Sequence, residues 1–105
     1  MSFEVIPTQI FEKELKVLAK RYPKIKDDIK NLKEELQKNP QQGAPLPKSC
    51  FKVRMQITGK SSGKSGGARI ITYVKVVDER IYLLSIYDKA EQSNNVALDV
   101  LLKYL

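Results

Sequence analysis

The sequence contains no histidine and only one cysteine, Cys50, among its 105 residues. Without histidine the chain cannot use a Ser-His-Asp or Cys-His catalytic group, and one cysteine cannot supply the usual ligands of a zinc site. A single cysteine also excludes an internal disulfide bond and is typical of a reducing compartment. We therefore expect neither a metal nor a cofactor, and any catalysis must use Lys, Arg, Tyr, Asp or Glu.

Long hydrophobic runs are missing as well. No apolar stretch approaches the ~20 residues that a membrane-spanning helix needs. The first residues also lack the basic segment followed by a long apolar one that marks a signal peptide. With 42% apolar residues, the chain suits a single globular domain over residues 1–105. These features predict a cytoplasmic protein that does not bind membranes.

Acidic residues are absent between Gln41 and Val77. That stretch carries seven bases, so the remainder, with 12 bases and 12 acids, is neutral, and the net charge of +7 falls on this stretch. Positive charge collected in one region is typical of a surface that binds a polyanion. The alternative is a solvated surface without a partner. The seven bases are Lys48, Lys52, Arg54, Lys60, Lys64, Arg69 and Lys75.

Hydrophobic periodicity predicts a strand and two helices before this basic stretch. Alternation over residues 2–6 indicates a short strand, and Thr8 is a candidate N-cap for the helix that follows. Apolar residues at helical spacing then predict one helix to about Tyr22 and a second to about Lys38. Residues 39–47 contain Pro, Gln and Gly and are interpreted as a loop.

Three strands and one short helix are predicted for the rest of the chain. Residues 51–58 alternate apolar with basic or polar side chains, residues 68–77 are rich in β-branched residues, and residues 81–87 are almost continuously apolar. A closing amphipathic helix is predicted over residues 96–105. The order βααβββα predicts an α+β fold, a small antiparallel sheet with the two N-terminal helices packed on one face.

The glycine-rich loop between the first two of these strands resembles a nucleotide-binding P-loop. Residues 59–65 read GKSSGKS, with three residues between the glycines where a P-loop has four. A strand follows, whereas a P-loop places a helix N-terminus against the phosphates. The pattern therefore argues against nucleotide triphosphate hydrolysis, although amides and lysines here can still bind phosphate.

Five residues form the candidate catalytic site. Lys52 and Arg54 project from one face of their strand because side chains two residues apart point the same way. If the strands around the glycine loop pair antiparallel, Arg54 and Arg69 come within reach of one phosphate, and Tyr87 and Lys89 end the last strand. Arginines can hold a phosphate and neutralise its charge, and a lysine among other cations can transfer protons. Each residue taken singly is better explained by a solvated strand face, and the prediction depends on the cluster.

These residues stand in motifs that resemble the RelE/HigB toxins of bacterial type II toxin–antitoxin systems. The similar segments are FKVR at 51–54, GKSGGARII at 63–71 and IYLLSIYDKAE at 81–91. The resemblance implies the RelE-like fold and a metal-independent mRNA interferase, acting in the ribosomal A site by 2′-hydroxyl attack on the adjacent phosphate. It also implies a neutralising antitoxin that covers the basic face or displaces the closing helix.

Carried over by position, Lys52 and Arg54 match the family's basic pair and Arg69 matches its phosphate-holding arginine. Further RNA contacts are expected from the remaining bases of the region and one tyrosine, namely Lys48, Lys60, Lys64, Tyr73 and Lys75. The chain departs from the family after the last strand, where an Arg-rich segment is replaced by DKAE and no aromatic residue follows Tyr87 until Tyr104. The phosphate-holding part of the site is therefore better supported than the acid–base part.

Two other functions are compatible with these features. ParE-like toxins share the scaffold and inhibit DNA gyrase without nuclease activity. A catalytically inactive RNA- or ribosome-binding module would also use a basic face. The glycine loop and the basic cluster favour RNA, and RNA cleavage separates the first function from the other two.

Overall fold

The computed structural model of the chain describes residues 3–60, 63, 66–90 and 97–105. These residues form five strands, three α-helices and one 3₁₀ turn. In chain order they are β1 (Glu4–Pro7), α1 (Gln9–Arg21), α2 (Ile25–Lys38), β2 (Ala44–Leu46), β3 (Cys50–Met55), β4 (Ala68–Lys75), the turn Val76–Asp78, β5 (Arg80–Asp88) and α3 (Leu98–Leu102). The predicted closing helix is thus shorter than residues 96–105, and Val96 lies outside the described residues.

The strands form one mixed sheet in the order β1-β5-β4-β3-β2. β3, β4 and β5 pair antiparallel as predicted, and β2 pairs antiparallel with β3, but β1 runs parallel to β5, with Val5 beside Ile81. The expectation of a wholly antiparallel sheet was therefore wrong at this edge. The helices α1 and α2 carry the chain away after β1, and such a long connection permits a parallel partner where a tight turn does not.

β2 lies in the segment that was interpreted as a loop. Its three residues pair with β3, Ala44 opposite Lys52. The sequence gives little sign of this strand because it is short and contains Pro45, and proline within a sheet is confined to positions such as an edge strand. β2 occupies that edge.

Both N-terminal helices pack on one face of the sheet, as predicted. α2 buries Ile25, Ile29, Leu32 and Leu36. Each such side chain contributes about 1.5–3 kcal/mol when fully buried, so this stripe is a main support of the core. Thr8 caps α1 through a hydrogen bond that its hydroxyl accepts from the Phe11 N–H, which confirms the predicted N-cap.

The opposite face of the sheet carries a second, smaller apolar cluster. Its buried members are Cys50, Ile71, Leu84 and Tyr87, and the leucines of α3 pack against them. Cys50 is therefore a core residue, as expected. None of the helices in the described ranges combines the length and apolar composition that a membrane crossing requires.

A β-bulge in β5 changes which side chains share a face. Ile71 pairs with Ser85, but Thr72 pairs with Leu83, so Leu84 is an extra residue in β5. Bulges of this kind leave one residue out of the ladder and bend the strand. Beyond the bulge, Tyr87 belongs to the cluster on the α3 side instead of following Leu83 into the helix-side core.

α1 and its N-cap residue stabilise the bulge. Both the N–H and the hydroxyl of Thr8 donate to the Leu83 carbonyl, at 3.0 and 2.9 Å. The Glu14 carboxylate accepts from the Ser85 hydroxyl at 2.8 Å and from the Ile86 N–H at 3.2 Å. Polar backbone groups that a bulge removes from the ladder need such partners when they are buried.

Candidate functional site

Three polar side chains lie in a row across adjacent strands on the α3 side of the sheet. Arg54 of β3 pairs with Arg69 of β4, and Arg69 pairs with Tyr87 of β5. Directly opposite residues of antiparallel strands have Cβ atoms about 4.5–5.5 Å apart. The expected antiparallel pairing of Arg54 with Arg69 is therefore confirmed, and the β5 bulge adds Tyr87 to the same row.

A cavity of about 600 Å³ opens beside this row. Four of the five candidate catalytic residues line it, and polar residues of α2 and the following loop form another part of its wall. Its lining comprises Glu35, Gln42, Gly43, Ala44, Lys52, Val53, Arg54, Arg69 and Lys89. With four cationic side chains and one carboxylate, the cavity is suited to an anionic ligand. Within the described ranges, no group of three or more Cys, Asp or Glu side chains is arranged to hold a metal ion.

Arg69 is the most buried cation of the cavity, at 4% exposure. Its burial lowers the pKa of the guanidinium, the charge of Arg54 lowers it further, and Tyr87 acts in the opposite direction. The guanidinium nevertheless stays charged, because arginine titrates far above neutral pH. The two like charges repel each other, so an anion bound between Arg54 and Arg69 would relieve that repulsion.

The Tyr87 hydroxyl is buried beside Arg69. It has no hydrogen-bond partner among the described residues, and the residue is 3% exposed. Burial raises the pKa of this phenol more than the charge of Arg69 lowers it. The hydroxyl therefore remains protonated at neutral pH and is a hydrogen-bond donor on the cationic face.

The residues expected to contact RNA are spread more widely. Lys48 forms an ion pair with Asp99 of α3, and Lys75 pairs with Asp78 at 2.9 Å. Tyr73 stacks on Tyr82 with ring centroids 5.9 Å apart. Tyr73 and Lys75 are four and six residues from Arg69 along β4, which at about 3.3 Å per residue places them roughly 13 and 20 Å away. None of these residues lines the cavity.

Lys60 and Lys64 belong to the glycine-rich loop. Lys64 lies outside the described residues. Lys60 forms an ion pair with the buried carboxylate of Asp88 at 2.6 Å, and its side chain is only 20% exposed. The structure thus gives Lys60 a partner within the protein, and Lys60 does not line the cavity.

Glu35 and Gln42 are polar cavity residues that the sequence did not indicate. Glu35 is one of several charged residues on α2, and Gln42 lies in the segment interpreted as a loop. The sequence feature that could have located them is Gly43. Its φ of +102° favours glycine, and its close packing places this loop against β3. A Cβ atom at Gly43 would lie 2.5 Å from the Lys52 carbonyl oxygen.

Asp88 is the centre of a buried polar network behind the cavity. Its carboxylate accepts hydrogen bonds from Lys60, from the Ala90 N–H at 3.0 Å and from the Tyr22 hydroxyl at 3.0 Å. Burial by itself raises the pKa of this carboxyl, but these hydrogen bonds and the charge of Lys60 outweigh burial, and the net pKa lies below its ordinary value. Asp88 is therefore ionised near neutral pH.

Acid is expected to destabilise the fold through Asp88. Because the folded-state pKa is lowered, the stabilisation is present above the ordinary aspartate pKa of about 4 and is lost as the pH falls through the folded-state value. Urea unfolding measured from about pH 6 to about pH 2 should show a shallower loss of unfolding free energy in Asp88→Asn than in the unsubstituted chain. Equal slopes would contradict this role of Asp88.

The fold can be compared with known proteins. No protein-family model matches the chain. A solved structure of a double mutant of the E. coli toxin RelE in the free state superposes with a TM-score of 0.59 and 17% sequence identity, covering 99% of this chain and 94% of the toxin chain. The chain therefore has the RelE-like fold that the sequence motifs implied.

Proposed function

We propose that this chain, built on the RelE-like fold, is the toxin of a toxin–antitoxin system that cleaves messenger RNA in the ribosomal A site. The row of Arg54, Arg69 and Tyr87 beside the cationic cavity is the observation that carries the proposal. It combines two guanidinium groups with a protonated phenol on one sheet face. Transfer of a phosphoryl group within RNA needs anion binding, which the guanidinium groups supply, and proton transfer, which we assign to the lysines that line the cavity.

The proposed reaction is attack by the ribose 2′-oxygen on the adjacent phosphorus. The new bond closes a 2′,3′-cyclic phosphate, and the bond from phosphorus to the 5′-oxygen breaks. Arg54 and Arg69 hold the non-bridging oxygens and offset the negative charge that grows on them. The 2′-hydroxyl proton is lost to water, and the leaving 5′-oxygen takes a proton from the ammonium group of Lys52 or Lys89, both of which line the cavity. That lysine is then reprotonated from water.

The antitoxin is proposed to engage the α3 side of the sheet. α3 has only five residues, Leu98–Leu102, and packs its leucines on the cluster that includes Tyr87. A partner segment with apolar side chains could replace α3, and acidic side chains in it would match the cationic cavity. Because the proposed target is the ribosome, we propose that the chain acts in the cytoplasm.

Messenger cleavage during cell-free bacterial translation tests the proposal. We expect 3′ ends within codons that occupy the A site when the chain is added, and none on the same RNA without ribosomes. Intact messages with undisturbed translation would refute the proposed activity, and inhibition of gyrase supercoiling would then favour a ParE-like toxin. Binding to ribosomes without cleavage would instead indicate an inactive module.

A further inference from the structure

Asp88 contacts three separate parts of the chain. Its side chain is 1% exposed and accepts hydrogen bonds from Tyr22 at the end of α1, from Lys60 after β3 and from the Ala90 N–H after β5. Arg21 lies 3.7 Å from the same carboxylate. A buried carboxylate with this many donors fixes the relative positions of the segments that supply them.

The residues before and after Asp88 both belong to the candidate site. Tyr87 belongs to the α3-side cluster, and Lys89 lines the cationic cavity. The Lys89 N–H donates to the Gly67 carbonyl at 3.3 Å, and the next N–H, that of Ala90, donates to Asp88. The backbone on both sides of the Lys89 side chain is therefore held in place, and the second contact is made by Asp88.

We propose that Asp88 is a positioning residue for Lys89, holding its backbone so that the ammonium group lies over the cavity with Arg54 and Arg69. This inference rests on the proposed function, since it gives Lys89 a contact with an RNA phosphate. Lys60 completes the arrangement because its ion pair keeps the carboxylate oriented toward the Ala90 N–H. Asp88 itself does not touch the RNA.

The direction in which one substitution changes the RNA affinity distinguishes a positioning role of Asp88 from a simple effect of its charge. Removing an acid from a protein that binds a polyanion should strengthen binding. We expect Asp88→Ala to weaken binding of a short 2′-O-methyl RNA, which cannot be cleaved, by about 3- to 10-fold. The salt dependence of log K should also become shallower by about 0.7, the loss of one single-strand phosphate contact. The control is Glu34→Ala on α2, an exposed acid outside the cavity lining, which should bind equally or more tightly.

A double-mutant cycle tests whether Asp88 acts through Lys89. Lys89→Ala and Asp88→Ala/Lys89→Ala should bind the RNA equally, because removing Asp88 has no further effect on binding once the Lys89 ammonium group is gone. Additive losses, or tighter binding by Asp88→Ala, would overturn the inference. Asp88→Asn should retain most of the affinity, because the amide oxygen still accepts from the Ala90 N–H.

Amide hydrogen exchange in the free protein distinguishes failure of this inference from failure of the proposed function. Exchange at Lys89 and Ala90 should accelerate in Asp88→Ala, be largely restored in Asp88→Asn, and remain unchanged at Arg69 in the sheet. Unchanged exchange at Lys89 and Ala90 would overturn the positioning role whether or not RNA binds. If RNA binding is absent from the unsubstituted chain, the proposed function fails while this readout still decides the role of Asp88. Should Asp88→Ala not fold, Lys60→Met provides the exchange comparison, because it removes the ion pair that orients the carboxylate and should accelerate exchange at Ala90.

Discussion

Replacing Arg69 by alanine is expected to lower the rate of messenger cleavage by about 10²–10³-fold, the usual cost of removing one donor to a developing anion. Arg69 lies between Arg54 and Tyr87 in the row across the sheet and is the most buried cation of the cavity. Its electrostatic effect is therefore less screened than that of an exposed arginine. The rate is measured from the appearance of A-site 3′ ends during cell-free translation.

Arg80→Ala is the matched control for this substitution. It removes the same charge from the opposite end of β5, where Arg80 is about half exposed and lies 3.6 Å from Glu4. Cleavage should stay within about twofold of the unsubstituted chain, since an exposed ion pair contributes little. Arg69→Lys keeps the charge but loses the forked donors, so it should recover only part of the rate. Equal losses in Arg69→Ala and Arg80→Ala would show that net charge, not position, determines the activity.

Replacing Gly67 by alanine is expected to destabilise the fold by about 1–3 kcal/mol or more, the range found for overpacking. A Cβ atom at this position would lie 2.3 Å from the Met55 carbonyl oxygen and 3.2 Å from the Gln56 Cα. Both are backbone atoms, so neither can rotate away. β3 and β4 would have to separate where the Arg54–Arg69 pair lies. Urea unfolding gives the free energy directly.

A second glycine of the same loop provides the comparison. Gly63 has a φ of +66°, and a Cβ atom built there meets nothing within 4 Å. Asparagine adopts this left-handed conformation more readily than most residues, so Gly63→Asn should change the unfolding free energy by well under 1 kcal/mol. If both variants lost the same stability, the close approach at Gly67 would not be the cause. Destabilisation of Gly67→Ala should also accelerate amide exchange at Lys89, because the Gly67 carbonyl accepts from that residue.

Much of the fold is predictable because several helices and strands have apolar residues on only one face. α2 has apolar residues on one face only, and β3 alternates apolar with basic side chains, so the buried face of each follows from the sequence. The pairing of Arg54 with Arg69 follows once β3 and β4 are joined as antiparallel neighbours. The direction of β1 was not predictable, because no local feature of the sequence shows whether a strand separated from its partner by two helices pairs parallel or antiparallel.

The remaining features depend on long-range contacts. β5 is apolar toward both faces. No break in an apolar–polar alternation therefore marks the bulge, where the side chains change faces. The pairing of Lys60 with Asp88 joins residues 28 positions apart through burial, which the charge pattern cannot reveal. Lys60 looked like one more base of the RNA surface for that reason. Glu35 shares the cavity lining with residues of β3, which the sequence of α2 alone does not indicate.

The extra residue at Leu84 makes the cationic face dependent on the number of residues in β5, and not only on their identity. Successive side chains of a strand alternate between its two faces. Deleting one residue at the bulge would therefore move every later side chain of β5 to the opposite face. Asp88 would then point to the face where the Tyr87 and Lys89 side chains now lie, exchanging a phenol and an ammonium group for a carboxylate. An insertion or deletion of one residue would therefore change which functional groups the cationic face presents. Related chains should be aligned across β5 by the position of the bulge before their site residues are compared.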